Sequence, residues 1–108
     1  MGSLLEEENM PYDWLEMIGR IDPAVVKRLH EQDEFVYADG VLPRKLKLLV
    51  AMAFDASHGA VAGARALAKQ AKAAGATDQE MAEILRVAYH LSGVGALYAA
   101  STALKEPD

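Results

Sequence analysis

Apolar residues in this chain recur every three or four positions, and nowhere do they alternate with polar ones long enough to build a half-buried strand. That periodicity confines the chain to an all-α fold, and its punctuation marks the helices. A short amphipathic segment from Tyr12 to Ile18 places Trp14, Leu15 and Ile18 on one side, and Gly19 is expected to end it. Asp22-Pro23 then reads as an N-cap followed by proline in the first turn. The helix it opens is expected to run to about Ala38, with Val25, Val26, Leu29, Val36 and Tyr37 facing inward. Asp39-Gly40 stops it, and Pro43 starts the next.

In that next helix Leu46, Leu49, Val50, Ala53 and Phe54 recur at helical spacing, while Leu48, Ala51, Met52 and Ala56 fill the other sides. A helix apolar nearly all round is expected at the centre of a core. His58-Gly59 reads as its stop. From Ala60 to Ala74 the stripe consists mostly of small residues (Ala60, Gly63, Ala64, Leu67, Ala68 and Ala71), which permits close helix approach, with Arg65, Lys69 and Lys72 on the wet side. Gly75 closes this helix, and Thr77-Asp78-Gln79-Glu80 is a capping box opening another with Met81, Ile84, Leu85, Ala88 and Leu91 on its core face. Gly93 and Gly95 mark a bend, and a last helix with Val94, Leu97, Tyr98 and Ser101 along one side ends near Leu104.

A chain of 108 residues has room for one domain, expected over 11–108 behind an acidic lead-in over 1–10. About half its residues are apolar, but alanine supplies much of that share and aromatics are sparse, so flat helix flanks remain to be hidden. A homo-oligomer is the expected way to hide them. The net charge of −5 and the scattered Lys and Arg argue against nucleic acid, which is gripped through clustered cations. No charge-free apolar run is long enough for a membrane, and no secretory signal is visible, so a cytoplasmic location is expected. The absence of cysteine excludes disulfides, thiolate nucleophiles and CxxC redox centres in this sequence.

Three segments together resemble the carboxymuconolactone decarboxylase and AhpD-like alkylhydroperoxidase family. They are Ala38-Asp39-Gly40-Val41-Leu42-Pro43-Arg44-Lys45 with the apolar run behind it, Lys72-Ala73-Ala74-Gly75-Ala76-Thr77 with its capping box and Ile84-Leu85-Arg86-Val87-Ala88, and Ser92-Gly93-Val94-Gly95-Ala96-Leu97. The likeness covers roughly residues 22–104. It implies a helical domain of about five to six helices that forms trimers or hexamers, with pockets near subunit boundaries. In the peroxidase branch a CxxC motif opens the helix after the buried one, where the helix N-terminus favours a thiolate. Counting back from Gly75-Ala76-Thr77, the resemblance puts the two cysteine positions on Ala60 and Gly63, the proton-relay Glu on Leu48 and a His on Leu67. None of these four groups can ionise, so a thiol peroxidase cycle is excluded. The decarboxylase branch, as the resemblance implies it, keeps His and charged residues at the same helix start. Here Gly59-Ala60-Val61-Ala62-Gly63-Ala64 has neither.

Several residues remain as candidates for chemistry. His58 follows Asp55 by three residues, and a carboxylate-oriented imidazole is a general acid or base; His58 equally suits a helix C-terminus, where cationic side chains are favoured. Arg65 reads either as a bidentate carboxylate clamp or as part of a solvated face with Lys69 and Lys72. His90, before the glycine bend, reads as a pocket or an interface residue. His30 with Asp33 and Glu34 has ion-pair spacing on a surface helix. The histidines show no metal-ligand spacing, and neither metal nor cofactor is expected. The exposed N-terminus of the helix near Ala60 suggests a small organic acid as ligand. The leading expectation is an oligomeric small-ligand-binding module with a pocket lined by Leu48, His58, Ala60, Gly63, Arg65 and Leu67. The alternative is a lyase or isomerase acting on a small organic acid, with His58 or His90 as acid/base and Arg65 as clamp.

Overall fold

A computed structural model describes residues 13–105, and all regular structure among them is helical. The helices are α1 (Trp14–Ile21), α2 (Pro23–Tyr37), α3 (Arg44–Ser57), α4 (Val61–Ala73), α5 (Asp78–Ser92) and α6 (Gly95–Leu104). The expected lead-in over 1–10 lies outside the described residues. The chain divides into two compact units between Val36 and Tyr37.

In the first unit, the Asp13 carboxylate caps α1 by accepting the Glu16 amide at 3.1 Å. Gly19 does not end this helix, as its sequence suggested, but lies inside it. The stop is Asp22, which the following proline pushes out of the helical region (φ −151°, ψ 79°). Asp22 in turn caps α2, its carboxylate accepting the Val25 amide at 3.1 Å. Val25, Val26 and Leu29 are half-buried, but no residue of α1 or α2 is fully buried and Val36 is exposed.

The second unit is built on α3, which packs against α4, α5 and α6. Pro43 cannot cap with its side chain, and the start of α3 is held instead by Asp39, whose carboxylate accepts the Arg44 amide at 2.6 Å. Lys47 Nζ donates to the Ala38 carbonyl at 2.7 Å, pinning the incoming loop. The buried stripe of α3 is Leu48, Leu49, Met52 and Ala56, while Val50 and Phe54 face outward. A helix that is apolar on every side does not reveal which side turns inward, and here the more regular stripe is largely the outer one.

Gly59, at φ +75°, makes the tight reversal from α3 into α4. Ala64, Ala68 and Ala71 are the buried face of α4 and bring it close to α3 and α6. Thr77 and Glu80 form the expected capping box of α5. Met81, Leu85 and Ala88 of α5 are buried, but Leu91 is not a core residue, being 79 % exposed. The turn at Gly93 (φ +99°) redirects the chain into α6. There the alanines go inward (Ala96, Ala99, Ala100 and Ala103) and the larger Leu97 and Tyr98 stay out. Side-chain size rather than apolarity decides this face, because only small residues admit α6 to the narrow space beside α3 and α4.

Candidate functional site

Two polar links fix how α3 and α5 lie together. Near their starts, Lys45 Nζ is 3.0 Å from Glu80 Oε2. At their ends, the hydroxyls of Ser57 and Ser92 are 3.1 Å apart. Both pairs are separated by 35 residues, so the two helices run side by side in the same direction. Glu80 serves twice, because its carboxylate also accepts the Thr77 amide at 2.9 Å. The Thr77 amide first, and the Lys45 ammonium second, hold the Glu80 carboxyl below the ordinary carboxylate range.

Between the two links, over roughly 18 Å of helix, the outward apolar residues of α3 face those of α5 across a cleft of about 400 Å³. Val50, Ala53 and Phe54 line one wall; Ile84, Val87, Ala88 and Leu91 line the other. Its polar groups, Ser57, His58 and Ser92, all belong to the ends of the two helices. The His58 imidazole lies 6.5 Å from the Phe54 ring, tilted by 37°, which leaves it exposed at the rim. Such an arrangement holds an apolar body and offers hydrogen bonds at one end.

The expected pocket does not form as a unit. Of its six residues only His58 lines this cleft. Leu48 has no exposed surface, and Leu67 packs against the core around it. Ala60 is an exposed N-cap. Gly63 faces Asp55, whose carboxylate fills the space a Cβ at residue 63 would need. Asp55 is therefore turned toward the first turn of α4, and among the described residues no hydrogen bond or ion pair joins it to His58. The anion-attracting helix end noted in the sequence thus has one of the chain's own carboxylates beside it.

Arg65 donates to the Thr102 carbonyl at 3.1 Å, fastening α4 to the end of α6. With Lys69 and Lys72 it borders a smaller cleft of about 180 Å³ beside Leu104, and Lys72 Nζ is 3.3 Å from Asp78. His90 is exposed in the last turn of α5 and does not line the larger cleft. No group of His, Asp and Glu among the described residues is arranged to hold a metal ion, and no helix among them is long and apolar enough to cross a membrane. The α5 wall and the two serines are what sequence reasoning missed. The signal was the constant offset of 35, which pairs Lys45 with Glu80 and Ser57 with Ser92.

Fold and cleft together define a helical protein without cysteine, and so without a CxxC pair, that has an apolar recess between two parallel helices. Residues 23–106 match the model of the carboxymuconolactone decarboxylase family, and the chain belongs to that family. No significant match was found among curated proteins or among solved structures.

Proposed function

We propose that this family member is an oligomeric small-ligand-binding protein whose ligand site is the α3–α5 cleft. The observation that carries the reading is the cleft's lining: seven apolar residues with three hydrogen-bonding ones gathered at a single end. Its volume falls in the range of small-molecule sites. Binding is favoured over acid/base turnover because His58 is the one titratable group among the ten lining residues and has no hydrogen bond to Asp55 to orient it. His58 serves here as a rim contact for the ligand. Oligomerisation is supported by the exposed apolar surface of α6, where Leu97 and Tyr98 face outward beside Val94.

The test is a thermal-shift screen of small apolar molecules against the native chain, Ala53→Phe and Val87→Lys. Ala53→Phe fills the cleft, and Val87→Lys charges its wall at a position already 55 % exposed. Stabilising compounds that lose their effect in both variants support the reading. Compounds whose effect survives both place the ligand elsewhere. Light scattering on the same samples reads the oligomer, and a monomer contradicts that part of the proposal.

A further inference from the structure

The space between α3 and α5 continues beyond the cleft described above. A second recess of about 310 Å³ lies between the same two helices, nearer their starts. Ile84 and Val87 line both, so the two recesses are halves of one trough. On α3 each helical turn gives it one apolar side chain, Leu46, Val50 and Phe54, at the spacing that keeps residues on one face. On α5, Ile84, Val87 and Leu91 do the same. The trough has a fixed length, because a polar bridge between the helices lies at each end. Lys45 and Glu80 are joined at 3.0 Å at one end, and Ser57 and Ser92 at 3.1 Å at the other. The apolar wall between them, from Leu46 to Phe54, runs for roughly 12 Å. Helices tied this closely at both ends leave a slot between two rows of side chains, open along its outer side, where Val50, Phe54 and Val87 are exposed.

The two ends differ chemically. At the Lys45 end the bridging atoms already serve each other, and the Glu80 carboxylate also accepts the Thr77 amide. Glu83 is exposed at the outer edge of that end. At the other end two hydroxyls and the His58 imidazole both donate and accept hydrogen bonds.

Resting on the ligand-site reading above, we infer that the trough takes an unbranched aliphatic chain of about ten carbons ending in one hydrogen-bonding group. An extended chain advances ~1.25 Å per carbon–carbon bond of about 1.5 Å, so roughly 12 Å of wall is matched by about ten carbons. The polar head sits at Ser57, His58 and Ser92, and the tail passes Val50 and Val87 to end against Leu46. A compact molecule fills only one half of the trough. A longer chain gains nothing further, because its end passes Leu46 and meets the Lys45–Glu80 pair and water.

The experiment is ligand-observed NMR titration of the native chain with straight-chain primary alcohols from 1-butanol to 1-dodecanol. A fully buried methylene tightens binding about fourfold, and a slot open on one side is expected to give about half that factor. Affinity should therefore rise about fourfold for every two carbons up to 1-decanol, with 1-dodecanol within about twofold of it. In Leu46→Lys the rise should stop near 1-hexanol, with 1-butanol unaffected. Leu46 is half-buried, so Leu46→Ala is the milder second variant, expected to weaken 1-decanol about threefold and to spare 1-butanol. Affinity that levels off by 1-hexanol in the native chain, with binding lost in Ala53→Phe, overturns the inference and leaves the ligand-site reading standing. So does a rise that is the same in the native chain and both Leu46 variants. Binding untouched by Ala53→Phe, or no binding by any alcohol, removes the ligand-site reading and this inference with it.

Discussion

Gly63→Ala is the substitution whose effect depends most directly on the geometry around α4. Alanine within a helix is favoured over glycine by about 1 kcal/mol, so a free helix face would gain that amount. At residue 63 the new methyl runs into the Asp55 carboxylate, which must swing aside. That carboxylate is the far end of a side chain, and what it gives up is its place beside a helix N-terminus, worth about 0.3–1 kcal/mol. The net expectation in the native background is a gain of at most about 0.7 kcal/mol. In Asp55→Ala the obstacle is gone, and Gly63→Ala stabilises by the full amount of about 1 kcal/mol. The two changes are therefore coupled by about 0.3–1 kcal/mol, at or above the additivity of independent sites. Urea unfolding of the four proteins at one matched protein concentration measures the cycle, since any self-association makes stability depend on concentration. If Gly63→Ala stabilises equally with and without Asp55, the packing argument is refuted.

Arg65→Ala is expected to cost about 0.5–1.5 kcal/mol through loss of the Thr102 hydrogen bond. Ligand binding should be unchanged, and a large affinity loss would restore Arg65 as a carboxylate clamp. Glu80 gives a pH test: its carboxyl is held down by the Thr77 amide and Lys45, so the folded state binds a proton less readily than the unfolded one. Its contribution is present above the unfolded carboxyl value and disappears as pH falls through the lowered folded value. Glu80→Gln should flatten that part of the acid limb in a urea-midpoint profile, and an unchanged limb contradicts the assignment. His58→Ala should leave the fold intact, because the imidazole is an exposed rim group. A turnover activity abolished by this change alone would favour a lyase or isomerase.

The helix boundaries were legible because they are local chemistry. The Asp22-Pro23 start, the Thr77–Glu80 box and the stops at Gly59 and Gly75 are each set by a few adjacent residues. Gly19 misled because a glycine ends a helix only where the chain must turn, and the Asp22-Pro23 junction makes that turn three residues later. The inner faces of α3 and α6 were less legible. Both helices are apolar on several sides, and the choice of Met52 over Phe54, or of Ala100 over Tyr98, belongs to the space left by neighbouring helices. The site followed the same division. His58 stands out in a sequence as a titratable side chain at a helix stop, but Ser57 and Ser92 are ordinary until α3 and α5 lie in parallel. The positions carried over from the peroxidase branch locate buried or structurally occupied residues, since Leu48 is core and Gly63 is packed against Asp55.

The central claim is that the space between α3 and α5 receives the ligand. Methyl NMR of the full chain, with the Val, Leu and Ile methyls assigned and a stabilising compound from the thermal-shift screen titrated in, reads this directly. The account predicts saturable shifts concentrated on Val50, Ile84, Val87 and Leu91, with Leu104 beside Arg65 unmoved. Shifts centred on Leu104, or on Val61 and Leu67 of α4, would contradict it.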